Sequence, residues 1–236
     1  MKKIFKWSLC LVLLIAVGIA VVGCGFWEPK SKVVEVSTYG ELLTAIEGDA
    51  DEIKLTSDII ADDTLVITRK VTLNLNGKTI SNTENVWVDT ETEDKWSLIS
   101  VGTNGNLTIT GNGKLKAKEN DCFAVDVVSG GKLTIENGEF IGNISAVYVF
   151  EGEAEIKGGK YSIQQLSSNG DERFTLNLYD ANGRNGTAKI KVSGGEFNKF
   201  NPANNLAEGE NTNFVVEGYT SELIPDTTIY QVLKIV

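Results

Sequence analysis

Apolar and polar residues alternate in short runs through most of this chain, and glycine, asparagine or aspartate breaks each run. Only one segment has helical spacing. In "STYGELLTAIEG", Leu42, Leu43, Ala45 and Ile46 form an apolar stripe, Thr38 and Glu41 have capping-box spacing, and Gly48 ends the run. Beyond it the period is two, which predicts strands. The strands come as a repeated phrase: "GNLTITGNGKL" (105–115), "GKLTIENGEF" (131–140), "GEAEIKGGKY" (152–161) and "GTAKIKVSGGEF" (186–197), with "VTLNLNGKTI" (71–80) as a more distant relative. Starts at Gly105, Gly131 and Gly152 are 26 and 21 residues apart, and Gly186 follows 34 later, with a loop insertion around 164–173 or 179–185.

The offsets inside the phrase predict stacking. Ile80 lies five residues after Leu75, Phe140 after Ile135, Tyr161 after Ile156 and Phe197 after Val192. Between the members of each pair sit Asn76-Gly77, Asn137-Gly138, Gly158-Gly159 and Gly194-Gly195, which suit left-handed turn angles. Further apolar runs follow each phrase, at 124–128, 146–150 and 174–178. Near-continuous apolar strands suit parallel pairing with a covered inner face. One such unit cannot bury its own inner face, so a stack is needed. An antiparallel β-sandwich also has many short strands, but the recurring phrase favours an all-β, right-handed parallel β-helix solenoid with one N-terminal capping helix. That helix and an early strand (Ile53–Leu55) cover the first coil. Residues 213–236 pair as terminal strands over the last one.

Residues 1–24, "MKKIFKWSLCLVLLIAVGIAVVGC", begin with lysines, continue with an apolar run from about Leu9 to Val22, and end in Gly23-Cys24. The first two parts read as a secretory signal peptide. The ending resembles a bacterial lipobox, which implies cleavage before Cys24 and its acylation. Two or three acyl chains give stable anchoring. Cys10 starts the apolar run instead of ending it. The expected organisation is a signal peptide at 1–23, a lipid-anchored tether at 24–32 and a β-helix domain at 33–236. The location is then the bacterial cell envelope, outside the cytoplasm, on a membrane.

The net charge of −10 becomes −13 when Lys2, Lys3 and Lys6 leave with the leader. No nucleic-acid partner is expected, since phosphate contacts need a basic face. The chain has no histidine, which removes the commonest general base and the usual nitrogen ligand of zinc. Cys24 and Cys122 remain after the leader, with no CxxC spacing.

From "YGELLTAIEGDADEIKLTSDI" through "VTLNLNGKTI" to the repeated phrase, residues 33–236 resemble the parallel β-helix proteins of bacterial surfaces, which share their architecture with pectate lyases. "ENDCFAVDVVSGG" (119–131) is similar to a polygalacturonase strand. Those glycosidases use several carboxylates, a histidine and Arg-x-Lys. Here Asp121 and Cys122 match, Asn120 replaces the first aspartate, no histidine exists, and "AKIK" (188–191) lacks the arginine. The resemblance offers Asp121 as one catalytic carboxylate of a group. The plainer reading is a turn-ending Asp121 and a small buried Cys122. Pectate-lyase chemistry would add a calcium site and an Arg or Lys base, but Arg173 and Arg184 lie in a polar loop and a turn.

"NVWVDTETEDKW" (85–96) interrupts the repeat. Trp87 and Trp96 are candidates for stacking on sugar rings. Asp89 and Glu91 are candidate polar partners, and Glu93 and Asp94 candidate calcium ligands. The expected function is non-enzymatic binding or structure at the envelope, with polysaccharide as ligand. The alternatives are a polysaccharide lyase or hydrolase and a surface protein-interaction or adhesion module.

Overall fold

The computed structural model describes residues 31–84, 89–90, 93–94, 97–119, 122–166, 174–205 and 212–236. Strand β1 (Val33–Val36) and helix α1 (Tyr39–Glu47) come first. The chain then passes through three sheets in fixed rotation. The first circuit is β2 (Glu52–Leu55), β3 (Ile59–Ile60) and β4 (Leu65–Ile67). The second is β5 (Lys70–Asn74), β6 (Thr79–Ser81) and, after the antiparallel pair β7 (Asp89–Thr90) and β8 (Glu93–Asp94), β9 (Ser97–Val101). The third is β10 (Asn106–Thr110), β11 (Lys114–Lys116) and β12 (Phe123–Val127), and the fourth β13 (Gly131–Ile135), β14 (Glu139–Gly142) and β15 (Val147–Val149). The fifth is β16 (Gly152–Ile156), β17 (Lys160–Ile163) and β18 (Leu176–Leu178). Helix α2 (Asp180–Asn185) precedes β19 (Ala188–Val192) and β20 (Glu196–Asn198), and the chain ends in β21 (Tyr219–Leu223) and β22 (Ile229–Lys234).

Each strand pairs in parallel with its counterpart one circuit away, giving sheets ordered β1-β2-β5-β10-β13-β16-β19, β3-β6-β11-β14-β17-β20-β22-β21 and β4-β9-β12-β15-β18. This mostly parallel, all-β arrangement is consistent with a β-helix-like solenoid. The final strands depart from it: β22 lies antiparallel on β20, and β21 antiparallel on β22. Among the described residues, no helix is long and apolar enough to cross a membrane.

The core consists of rows that run from circuit to circuit. Leu73, Ile109, Ile135, Ile156 and Val192 form one row in the first sheet. Leu65, Ile99, Val125, Val147 and Leu176 form another in the third. All ten are buried. In the second sheet the row enlarges from Ile80 and Leu115 to Phe140, Tyr161 and Phe197. Their rings stack at centroid separations of 5.2 and 4.8 Å, with planes 10° and 12° apart. The Tyr161 hydroxyl donates to the Gly158 carbonyl at 2.6 Å, so the one polar atom in this ring stack is satisfied.

The rings explain the Gly-Gly turns. Gly159 and Gly195 have φ of 96° and 108°, which L side chains avoid. A Cβ on Gly195 would lie 3.2 Å from the Tyr161 ring and 3.3 Å from that of Phe197. The preceding Gly194 would place a Cβ 2.1 Å from the Lys157 carbonyl oxygen.

Outward-facing charges alternate along the rows. In the second sheet the register runs Lys114, Glu139, Lys160, Glu196. Lys114 pairs with Glu139 at 2.8 Å and Lys160 with Glu196 at 3.0 Å. In the first sheet it runs Lys132, Glu153, Lys189. These exposed pairs are individually weak, but a one-circuit slip would oppose like charges.

Three expectations need correction. Leu75 is not the row-mate of Ile135; Leu73 is, because the step from Leu73 to Ile80 is two residues longer than that from Ile135 to Phe140. Leu75 is buried inside that longer turn. The last interval is 36 residues, since Gly152 pairs with Ala188 and Gly186 instead ends α2 in the left-handed conformation. Helix α2 is a second helix where one was expected. Its six residues bury nothing, so no apolar stripe marked it.

The N-terminal end is closed by α1, whose Leu42, Ala45 and Ile46 join the core. Thr38 accepts from the Glu41 N–H at 3.2 Å, and the Glu41 carboxylate accepts from the Ser37 and Thr38 N–H groups. Arg69 holds the other end of the helix. Its guanidinium donates to the carbonyls of Ala45, Ile46 and Ala50 at 2.7 Å each, and to that of Lys70 at 2.9 Å. These satisfy carbonyls that a helix C-terminus leaves open. Arg69→Ala is expected to lower stability by about 2 kcal/mol or more, read as a lower urea midpoint, with Arg69→Lys intermediate.

Candidate functional site

The connections from the second to the third sheet vary most in length. Residues 82–96 join β6 to β9, 117–122 join β11 to β12, 143–146 join β14 to β15, and 164–175 join β17 to β18. By number, all the sequence-predicted residues except Cys24 fall within two of these connections, 82–96 and 117–122. Trp87, Glu91, Trp96 and Asp121 lie outside the described residues, as does Cys24. Asp89 and Glu93–Asp94 form the strands β7 and β8, with Asp89 opposite Asp94. Among the described residues, no group of three or more Asp, Glu or Cys side chains is placed to hold a metal ion.

A cleft of about 550 Å³ opens on the third sheet, beside the 143–146 connection. Phe123, Tyr148 and Phe150 give it aromatic surface, Val128 and Ile144 add apolar surface, and Asp126, Ser129 and Asn177 are its polar members. The register aligns the site: Ser100, Asp126, Tyr148 and Asn177 lie side by side on four successive strands. Phe123 and Tyr148 pack with centroids 4.8 Å apart and planes tilted by 38°. Just beyond, Phe150 packs on Tyr179 at 4.7 Å.

Asp126 is the unusual member. It lies in the apolar run "FAVDVV" with only 5% of its surface exposed. Burial pushes its carboxyl up to about 6, while the Ser100 and Ser97 hydroxyls pull it partly back. Those hydroxyls are near enough to act on the charge, yet Asp126 Oδ1 and Ser97 Oγ meet no partner at hydrogen-bond geometry. No Lys or Arg is among the described residues lining the cleft. Cys122, at the entry to β12, is buried and free. Burial first, and the Asp126 charge second, push its thiol up to about 12, so it is an inert apolar residue and not a nucleophile.

Two other hollows are lined by charges that already have partners. One of about 570 Å³ lies between β1 and α1. Its Lys32 pairs with Asp49 and its Glu41 is bound by Ser37 and Thr38. A smaller one contains Glu139, Lys160 and Glu196 of the charge row. In the sequence Asp126 stands out only as a second acid at odd spacing from Asp121, on the other face of a strand, and not as a site residue. The available signal was a lone acid between Val125 and Val127, two residues whose burial forces the acid between them onto the opposite face of the strand.

Comparison with protein-family models, with curated proteins and with solved structures found no match.

A buried acid whose pKa is raised binds its proton more tightly folded than unfolded. Its ionisation therefore removes stability as pH rises from about 4 to about 6, and the loss persists above that. The size is about 3 kcal/mol. Asp126→Asn is expected to raise the thermal midpoint at pH 8 by several degrees relative to the parent, and the gain should shrink as pH falls towards 4.

Proposed function

We propose that this chain is a lipoprotein of the bacterial cell envelope, acylated at Cys24, which carries a right-handed parallel β-helix of pectate-lyase-like architecture and binds glycans without cleaving them. The fixed rotation through three parallel sheets and the circuit spacing support the β-helix. The lysine-rich start, apolar run and Gly23-Cys24 ending support the anchor.

One observation carries the binding reading: the aromatic cleft on the third sheet. Sugar rings offer flat apolar faces with hydroxyls at the rim. Aromatic surface beside a few fixed polar groups is the complementary arrangement. Here Phe123 and Tyr148 supply the surface, Asp126 and Asn177 the polar groups, and parallel pairing holds their strands rigidly. Cleavage of a glycosidic bond needs an acid and a second carboxylate at a set separation. The described lining supplies one carboxyl, Asp126, and Asp121 lies outside the described residues. Trp87 and Trp96, which precede β9 in the chain, stay proposed as further ring-stacking residues.

Affinity electrophoresis of the full chain in gels containing soluble polysaccharides tests this. Retardation without loss of polymer is expected, and Tyr148→Ala should reduce it at least tenfold in affinity. Clearing of the polymer would replace the binding reading with catalysis. Separately, Cys24→Ser is expected to shift the protein from the membrane to the soluble fraction and to remove the acyl mass seen by intact-mass spectrometry.

A further inference from the structure

We propose that the cleft on the third sheet accepts an organic ammonium group, so that the glycan it selects carries a free amine. The inference rests on the glycan reading for the sugar, but the ammonium part stands on the cleft itself.

Three features converge on a cation. First, Asp126 is 5% exposed, one of its carboxylate oxygens has no hydrogen-bond partner, and no Lys or Arg is among the described lining residues. A buried charge normally has a partner; here the described residues that act on it are two serine hydroxyls, with no countercharge among them. Second, the walls beside Asp126 are aromatic. Phe123 and Tyr148 are tilted rings 4.8 Å apart, and Phe150 adds a third. Aromatic faces attract ammonium groups within about 6 Å, more strongly where water is excluded. Third, the chain carries a net −10, which draws cations and repels acidic sugars. A neutral sugar would use the rings and leave the carboxylate without a countercharge. An ammonium group uses both, and it need not hydrogen-bond to the sheltered oxygen, because charge attraction acts beyond hydrogen-bond distance.

Two sources share this chemistry: a de-acetylated amino sugar and a quaternary ammonium headgroup. Binding of either should require ionised Asp126 and weaken as pH falls through about 6. Around Asp126, β9 presents the neutral Ser97 and Ser100, β15 presents Tyr148, β18 presents Asn177, and Cys122 lies at the entry to β12. Thiols and phenols do not titrate in that range, so Asp126 is the titrating group among the described residues.

The test is calorimetric titration of the full chain, in an uncharged polyoxyethylene detergent, with three probes: a glucosamine oligomer, its N-acetylated counterpart and tetramethylammonium. The free-amine oligomer should bind at least tenfold more tightly than the acetylated one. Asp126→Asn should abolish that difference, and Tyr148→Ala should weaken both charged probes. Tetramethylammonium keeps its charge at every pH, so its affinity should fall about tenfold between pH 7.5 and 5 in the parent and stay level in Asp126→Asn. Equal affinity for the two oligomers, unchanged in Asp126→Asn, would overturn the ammonium inference and leave glycan binding standing. Binding of tetramethylammonium with neither oligomer would uphold the ammonium site and overturn the glycan reading. No binding of any probe would overturn both.

Discussion

Parallel pairing in register obliges every side chain to sit beside its counterpart from the neighbouring circuit, one strand spacing of about 4.8 Å away. Everything else in this domain accommodates that constraint. Inside, like stacks on like, because a row of equal spacing is filled best by residues of similar shape. The second sheet shows it most clearly, where aliphatic members give way to Phe140, Tyr161 and Phe197, and the spacing matches flat rings lying face to face. The adjacent turns must then yield volume, and glycine is the residue that yields it at 159 and 195. A motif that looks like a turn signal in the sequence is also a clearance for the rings.

The same constraint leaves two open ends, and the chain closes them differently. At the N-terminal end α1 covers the rows, and Arg69 fastens its last carbonyls to the start of the second circuit. At the other end the rotation stops and the strand direction reverses, with β22 antiparallel on β20. A reversed strand still satisfies the backbone groups of β20 without creating a place for another parallel rung. β21 then becomes the edge, with its partly exposed residues facing solvent.

Much of the ladder was legible in the sequence because its spacing is regular where the turns are tight. The five-residue step from Ile135 to Phe140 recurs from Ile156 to Tyr161 and from Val192 to Phe197, and the structure stacks those residues. Legibility failed where a turn lengthened, since Leu75 is as apolar as Leu73 and only the register separates them. It failed again for α2, which buries no side chain and so leaves no periodic trace. The cleft was hidden for a different reason. Phe123, Asp126, Tyr148 and Asn177 come from three circuits, and their sequence separations reveal nothing until the strands are in register. The tryptophans and acids of 85–96 are conspicuous in the sequence, whereas Asp126 had only its apolar neighbours to mark it.

The charge rows carry a further implication. Lys114, Glu139, Lys160 and Glu196 reverse sign at each step, as do Lys132, Glu153 and Lys189. The apolar rows repeat every circuit, but the charge rows repeat every second one. Over these later circuits the charge pattern therefore repeats in pairs of circuits, as in an antiferromagnetic chain. Lengthening it by duplicating one circuit would create a like-signed fault at the join, whereas duplicating two would preserve the alternation. A domain of this kind grows most easily in steps of two.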